Sequence, residues 1–331
     1  MYNFSPVNFV IFLVIANFTT LIIFKALKNR NHVDQNLLKS KKTIKTVTSL
    51  GLVFLINFCI FVSWYILEEN INRLFPNRYY IFFVSLILLT LMSFWDDLKE
   101  IDPKYRLIVQ LILVYFSLTN LDLQSLNIPL KLIIFLSLVF WVYIINITNF
   151  IDGSDGHCAI HSISFFIGTL YLTYFFKLDS FSNFLAFINL PILIVFLLYN
   201  FPKAKAYMGD TGSVYLGYII GFILLENIFL NKGLYFLSIF LYPIIDCTLT
   251  IVSKVFRGYY PWARLFDYYF LIPIKNGNNH QKVFYATIIY SVLNLIFVFL
   301  QVNYSDLFFI LNVFNSLVLI LYFKSYDKKK I

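Results

Sequence analysis

The chain reads as an all-α, polytopic integral membrane protein with about eleven transmembrane helices, and three observations carry that reading. Hydrophobic residues make up 60% of its 331 positions and charged residues 13%, where soluble domains carry roughly 25% charge. Apolar windows long enough to span a bilayer recur along the whole chain. Lysine and arginine fall on alternate loops between those windows. No hydrophilic stretch is long enough for a separate soluble domain, so residues 1–331 are read as one integral membrane domain.

The first window, 6–27, is too long for the apolar part of a signal peptide and has no small-residue cleavage site, so it is expected to be retained. Further windows lie at 47–67, 79–95, 107–122, 129–147, 158–177, 182–199, 213–230, 233–251, 284–302 and 306–323. With the N-terminus outside, the inner loops 25–46, 96–106, 148–157, 200–212 and 252–283 and the tail from 324 carry 21 of the 26 Lys and Arg residues. Arg73, Arg78, Lys131, Lys177 and Lys232 are the outer ones. Basic residues stay in cytoplasmic loops, which predicts N-terminus out and C-terminus in. The same rule accounts for the net charge of +9 without a nucleic-acid partner, since the basic residues form no single patch or arm. Cys59, Cys158 and Cys247 are scattered and odd in number, which points to neither a disulfide framework nor a metal cluster. No linker, low-complexity tract or internal repeat interrupts the pattern.

The acids sort onto the same face. Asp96, Asp97, Asp152, Asp155, Asp210 and Asp267 all lie in loops that the basic residues alone assign to the inside. The outer loops are short and mostly bland, with Glu68 and Glu69 the main exception. A single active site on the cytoplasmic face is the expectation.

Phe94-Trp-Asp96-Asp97 follows the third window. Adjacent acids at a helix end can supply a base and a metal or hydrogen-bond partner, although a solvated loop beside the membrane would look alike. Pro103 suits a helix opening, and Arg106 and Gln110 then share one helical face. The stretch Asn146-Ile-Thr-Asn149-Phe-Ile-Asp152-Gly153-Ser-Asp155-Gly156-His157 is more telling. Its glycines permit close approach or positive φ, and Asp152 and Asp155 stand three apart. One Asp could merely cap a helix, but that does not explain Asn149, Asp152 and Asp155 together.

Asn200-Phe-Pro-Lys-Ala-Lys205-Ala-Tyr-Met208-Gly209-Asp210-Thr211-Gly212-Ser213 opens the eighth window. Glycines, a carboxylate and hydroxyls at a helix N-terminus suit a phosphate and a cation bridging it; the stretch lacks the Gly-Lys-Ser/Thr ending of a Walker A loop. Asp246, inside the ninth window, is either functional or an anchor paired with Arg257 or Lys254. The last large inner loop offers Arg257, Arg264, Asp267, Lys275 and His280, of which the lysines suit topology and Arg264 and His280 a ligand. The first inner loop, with Asp34, Asn36, Lys39 and Lys42 ahead of Gly51, suits an anionic substrate or anionic headgroups as well as topology. His32, His157 and His161 read as ordinary loop or helix residues.

Taken together, these five segments resemble the polyprenyl-phosphate N-acetylhexosamine-1-phosphate transferases, among them the enzymes that initiate O-antigen, common-antigen and teichoic-acid synthesis and the peptidoglycan lipid I synthase. That family's Asp-Asp loop, Asn-x-x-Asn-Phe-x-Asp-Gly-x-Asp-Gly stretch and Met-Gly-Asp-x-Gly-Ser stretch are matched by Asp96-Asp97, Asn146–Gly156 and Met208–Ser213. The resemblance covers about residues 30–285. Two segments depart from it. In the first loop Asn36 stands where proline is usual, Lys42 where histidine is usual, and only Gly51 where two glycines are usual. The late loop has a single His280 where many members carry a His-x-His-His cluster, which argues against the peptidoglycan enzyme.

The resemblance implies transfer of an N-acetylhexosamine 1-phosphate, N-acetylglucosamine 1-phosphate by default, from a UDP-sugar to polyprenyl phosphate. It implies Mg²⁺, with Mn²⁺ as a substitute, a multi-pass location in the plasma membrane, and leaves room for a homodimer. Both substrates are anionic, and two unit charges at about 4 Å repel by about 4 kcal/mol at an effective dielectric of 20. Oxygen ligands without a Cys/His cluster favour Mg²⁺ or Mn²⁺ over Zn²⁺. By this reading Asp210 and Asn149 hold the metal, Asp96 accepts a proton from the lipid phosphate or orients it, and Asp97 and Asp152 support the metal shell. Asp155 holds the nucleotide, Arg264 and His280 contact the pyrophosphate or sugar, and Lys205 and Asn200 line the substrate. A covalent aspartyl-phosphate route stays open. The rivals are a prenyltransferase, whose paired Asp motifs are absent here, and a transporter, whose polar site would lie at the bilayer midplane.

Overall fold

A computed structural model describes residues 5–29, 46–68, 79–125, 128–178, 181–260 and 267–327. His32, Asp34, Asn36, Lys39, Lys42, Glu69, Arg73, Arg78 and Arg264 lie outside the described residues. The described chain is all-helical, apart from one isolated parallel bridge between Val47 and Ala206. Helices dominate because an apolar chain in hydrocarbon must satisfy its backbone within each segment.

In order they are α1 (Pro6–Asn29), α2 (Leu52–Glu68), α3 (Tyr80–Leu98), α4 (Pro103–Ser117), α5 (Leu130–Phe150), α6 (His157–Phe175), α7 (Phe181–Asn200) and α8 (Gly209–Phe229). Then follow α9 (Gly233–Ile239), α10 (Leu241–Phe256), the single turn α11 (Ile272–Lys275), α12 (His280–Asn303) and α13 (Phe308–Lys324). Each of the eleven apolar windows falls on helix. Among the described residues, seven helices can cross a membrane by length and composition, or eight if α9 and α10, bent by 75° at their junction, count as one span. The shorter α2 and α13 are apolar as well.

Several helices begin ahead of the apolar windows. The sequence places the fourth window at 107, but α4 begins at Pro103, with the Asp102 carboxylate accepting the Lys104 N–H at 2.8 Å. Likewise α8 begins at Gly209 and α12 at His280. Hydropathy detects apolar side chains, whereas a helix starts where its first N–H groups find acceptors. The consequence is that Arg106, Asp210 and His280 sit on rigid first turns rather than on loops.

The bundle is organised around α8, which is almost wholly buried and packs most closely against α5 and α3. Gly217 and Gly221, four residues apart, let it approach: Gly217 faces the Ile145 backbone and Gly221 the Trp141 ring. In lipid, helices associate through such close packing and interhelical hydrogen bonds. Trp141 Nε1 donates to the Tyr218 carbonyl at 2.8 Å, and the Tyr218 hydroxyl donates to Ser117 Oγ at 2.6 Å, tying α5, α8 and α4 together. Farther out, α1 turns Val7, Val10, Val14 and Phe18 outward at helical spacing, the face expected of a helix bordering lipid.

Candidate functional site

The site forms where the ends of α3, α5 and α7 meet the starts of α4, α6, α8 and α12. Residues 46–51 make a backbone clamp on residues 205–208. Val47 N–H donates to the Lys205 carbonyl at 3.0 Å, Tyr207 N–H to the Val47 carbonyl at 2.8 Å, and Gly51 N–H to the Met208 carbonyl at 3.0 Å. Gly51 lies directly on Gly212, where a Cβ on either would overlap the other's backbone or the Met208 side chain. This clamp fixes the chain that opens α8.

The first turn of α8 is capped from another helix. Asp97, in the last turn of α3, accepts from the Asp210 N–H at 2.9 Å through Oδ1. Its Oδ2 accepts from the Thr211 N–H at 3.2 Å and the Thr211 hydroxyl at 2.5 Å. A carboxylate there satisfies exposed N–H groups and complements the helix dipole. Gly209 is needed beside it, because φ is +69° and a Cβ would run into the Asp97 carboxylate. Asp97 thus sets the position of Asp210.

Asp96 points differently. Its Oδ1 accepts the Ile101 N–H at 2.7 Å, and its Oδ2 pairs with Arg106. The same Arg106 nitrogen, Nη1, also pairs with Asp210 Oδ2. Asn149, near the end of α5, lies against Asp210. Asn146, one turn earlier, donates from Nδ2 to Gln110 Oε1 at 3.0 Å, which ties α5 to α4. Asp152 follows in a short turn at Ile151–Gly153 and lies within electrostatic reach of Asp210, Asp97 and Asp155. The structure therefore brings Asp96, Asp97, Asn149, Asp152 and Asp210 to one place.

Asp155 forms a neighbouring wall. It is buried, and its Oδ2 accepts the Ala204 N–H at 3.1 Å. His280 Nδ1 lies 3.4 Å from Asp155 Oδ1 and 3.2 Å from the Asp155 N–H. His280 Nδ1 accepts from that N–H in one tautomer, and in the tautomer with hydrogen on Nδ1 it donates to the carboxylate. Gly156, at φ +72°, starts α6 and donates its N–H to Asn200 Oδ1 at 2.6 Å. Asn200 Nδ2 in turn donates to the Ala206 carbonyl at 2.9 Å. Asn200, expected to line the substrate, is a buried brace with both ends engaged by the backbone. Lys205 is exposed, and Arg264 lies outside the described residues.

Asp246 belongs to neither wall. Arg257 and Lys254, the partners considered for it, are not where its anchoring comes from. Arg257 and Lys275 instead pair with Asp267 at 3.0 and 3.1 Å, and Lys254 lies over the Tyr268 ring. Asp246 accepts from the Tyr242 hydroxyl at 2.7 Å, the Thr250 hydroxyl at 3.3 Å and the N–H groups of Tyr269 and Phe270 at 3.1 and 3.4 Å. It therefore pins the returning chain to α10. His157 stacks on Phe270 and His161 on Tyr242, both buried, so they serve packing under the same segment. Asp267 is partly exposed; burial would raise its pKa, but hydrogen bonds and charge from Lys275 and Arg257 outweigh that and hold it below the ordinary value.

Sequence reasoning missed two contributors. Arg106 bridges Asp96 and Asp210, the latter 104 residues away, and the only sequence signal was its place on the face of Gln110. The clamp at 46–51 carries no side-chain signature beyond Gly51.

Among the described residues no group of three or more His, Cys, Asp or Glu forms a self-sufficient metal cage. The donors at Asp96, Asn149 and Asp210 are oxygen atoms, and the two Oδ2 atoms of Asp96 and Asp210 converge on a single point, the Arg106 Nη1. That set fits a hard divalent cation of the Mg²⁺ type, which is held by one or two carboxylates and completed by substrate phosphates.

Residues 79–227 match the profile of glycosyl transferase family 4. The chain is 27% identical over 190 residues to a probable undecaprenyl-phosphate N-acetylglucosaminyl 1-phosphate transferase of Bacillus subtilis, covering 52% of this chain and 51% of the relative. It is 29% identical over 185 residues to a phospho-N-acetylmuramoyl-pentapeptide-transferase of Aliarcobacter butzleri (44% and 52%) and 39% identical over 147 residues to one of Staphylococcus haemolyticus (43% and 44%). The chain thus spans about half the length of the curated relatives it matches. The matched residues include the Asp-Asp pair, the Asn146–Gly156 stretch and the Met208–Ser213 stretch, while His280 lies beyond them. Over residues 79–227 the chain is thus similar to glycosyl transferase family 4.

Proposed function

We propose that the protein transfers an N-acetylhexosamine 1-phosphate, N-acetylglucosamine 1-phosphate by default, from a UDP-sugar to polyprenyl phosphate, releasing UMP at the cytoplasmic face of the plasma membrane. The reading rests on one observation: Asp96, Asp97, Asn149, Asp152 and Asp210, from three distant segments, meet at one end of the bundle beside a capped helix N-terminus. An acceptor phosphate oxygen forms a bond to the sugar-bearing phosphorus, the bond from that phosphorus to the bridging oxygen breaks, and UMP leaves with that electron pair. Such transfers require mainly positioning and charge neutralisation.

Asp210 and Asn149 would hold the divalent cation, with Asp152 beside them. Bound there, it would neutralise the diphosphate oxygens. Asp97 fixes the turn that carries Asp210. Asp96, held on one oxygen by Ile101 and on the other by Arg106, acts in orienting the acceptor phosphate through that arginine. Asp155 and His280 line the neighbouring wall and suit the nucleotide and sugar, and exposed Lys205 suits a phosphate at the rim. The isoprenoid tail stays in the bilayer, which explains an enzyme whose reacting groups are polar and whose body is apolar.

The test is UMP release from purified protein in detergent or lipid, across a panel of UDP-N-acetylhexosamines. UMP is expected only when polyprenyl phosphate and Mg²⁺ are both present. No UMP from any sugar in the panel overturns the reading.

A further inference from the structure

We propose that Arg106 is the resident counter-cation of the site, neutralising Asp96 and Asp210 together while no divalent cation is bound, and that it yields Asp210 when the cation binds. This rests on the reading of Asp210 as a metal ligand. Three observations carry it.

First, one nitrogen of Arg106 meets Oδ2 of both acids, so the two oxygens bracket a single point. A single positive charge at that point neutralises both acids. Second, the acids are fixed independently of Arg106: Asp96 by the Ile101 N–H, and the Asp210 backbone by Asp97. Their separation is imposed by the fold, and the charge between them answers it. Third, the side chains of Asp96, Arg106 and Asp210 are 9%, 21% and 30% exposed. Partly desolvated carboxylates this close repel strongly without a cation between them. A guanidinium stays charged at any working pH, so it can hold this place permanently.

Arg106 sits on the first turn of α4, three residues after Pro103, on a long side chain. Leaving Asp210 requires only side-chain rotation. Its contact with Asp96 can persist, and the freed N–H groups then face the anionic groups that arrive with the metal. Arginine is suited to both tasks because its planar fork pairs with carboxylate and with phosphate.

The test is Mn²⁺ binding to the purified full-length protein, read by electron paramagnetic resonance without substrate. Removing the competitor should tighten binding: Arg106→Ala and Arg106→Gln are expected to lower the Mn²⁺ Kd at least about tenfold, and Arg106→Lys, which keeps the charge, to stay within about threefold of wild type. Asp210→Asn should abolish binding in every background. Unchanged or weaker Mn²⁺ binding in both Arg106→Ala and Arg106→Gln, with Asp210→Asn still abolishing it, overturns the placeholder role and leaves the metal assignment standing. Full binding in Asp210→Asn overturns the metal assignment and the placeholder role with it. Circular dichroism of each variant separates these outcomes from misfolding, and Arg106→Gln retains most of the side-chain volume if Arg106→Ala unfolds.

Discussion

Thr211 donates both its backbone N–H, at 3.2 Å, and its hydroxyl, at 2.5 Å, to Oδ2 of Asp97. The residues are 114 apart in sequence, and their contact joins the end of α3 to the start of α8. Asp97 is thus a helix cap supplied from another helix. Asp97→Ala leaves the Asp210 and Thr211 N–H groups without this acceptor and should cost about 1–2 kcal/mol. Thermal unfolding in detergent reads that loss, and UMP release should fall with it because Asp210 loses its support. An unchanged Tm would mean that the cap contributes nothing.

Glycines with positive φ separate two kinds of constraint. Gly209 (φ +69°) lies against the Asp97 carboxylate, whereas at Gly258 (φ +80°) no atom of the described residues lies within 4 Å of where a Cβ would stand. Gly258→Ala should cost only the left-handed conformation, about 1–2 kcal/mol. Gly209→Ala adds a steric overlap and should both destabilise more and abolish turnover. Equal melting temperatures for the two variants would contradict the close packing at Gly209.

Asp246 holds two hydroxyls and two backbone N–H groups, so its replacement strands donors in a buried place. Each donor left unsatisfied costs about 1–3 kcal/mol. Asp246→Ala should therefore release the chain around residues 267–271, seen as faster hydrogen exchange of the Tyr269 and Phe270 amides. Asp246→Asn keeps an acceptor and should fall between the two.

Asp267 gives a pH dependence with a definite sign. Its pKa is depressed in the folded protein by Lys275 and Arg257, against an ordinary value of 3.8. Its stabilising contribution is therefore full above that ordinary value and is lost as pH falls through the lower folded value. The pairs are partly exposed, so the effect is small, below about 1 kcal/mol each, and weakened by salt. Unfolding midpoints of wild type and Asp267→Asn should differ at pH 7 and converge under strongly acidic conditions. A difference that grows on acidification would reverse the assignment.

Much of the site was legible along the chain because its motifs are compact. Asn149, Asp152 and Asp155 are spaced within one turn and a bend, and Asp210 follows a glycine at a helix start. What the sequence could not reveal are partners across the fold. Asp96 and Asp97 are adjacent and chemically identical, yet one binds an arginine and the other caps a helix. Asn200 was expected to line the substrate, whereas its amide is engaged between the Gly156 N–H and the Ala206 carbonyl. Asp246 read as either functional or an anchor paired with Arg257 or Lys254, and the groups that hold it are hydroxyls and backbone amides rather than a cation.

By itself the sequence determined the membrane-embedded, all-helical class, since 60% apolar content in recurrent long windows suits a bilayer, where a helix satisfies its own backbone. It also determined which residue types stand at the ends of the helices. Only the tertiary structure decided which of those residues are spent on holding the bundle and which face one another across it. The physical reason is that a carboxylate's role depends on the donors within about 3 Å of its oxygens. For Asp97 and Asp210 those donors come from segments more than a hundred residues away, brought close when α8 packs between α3 and α5.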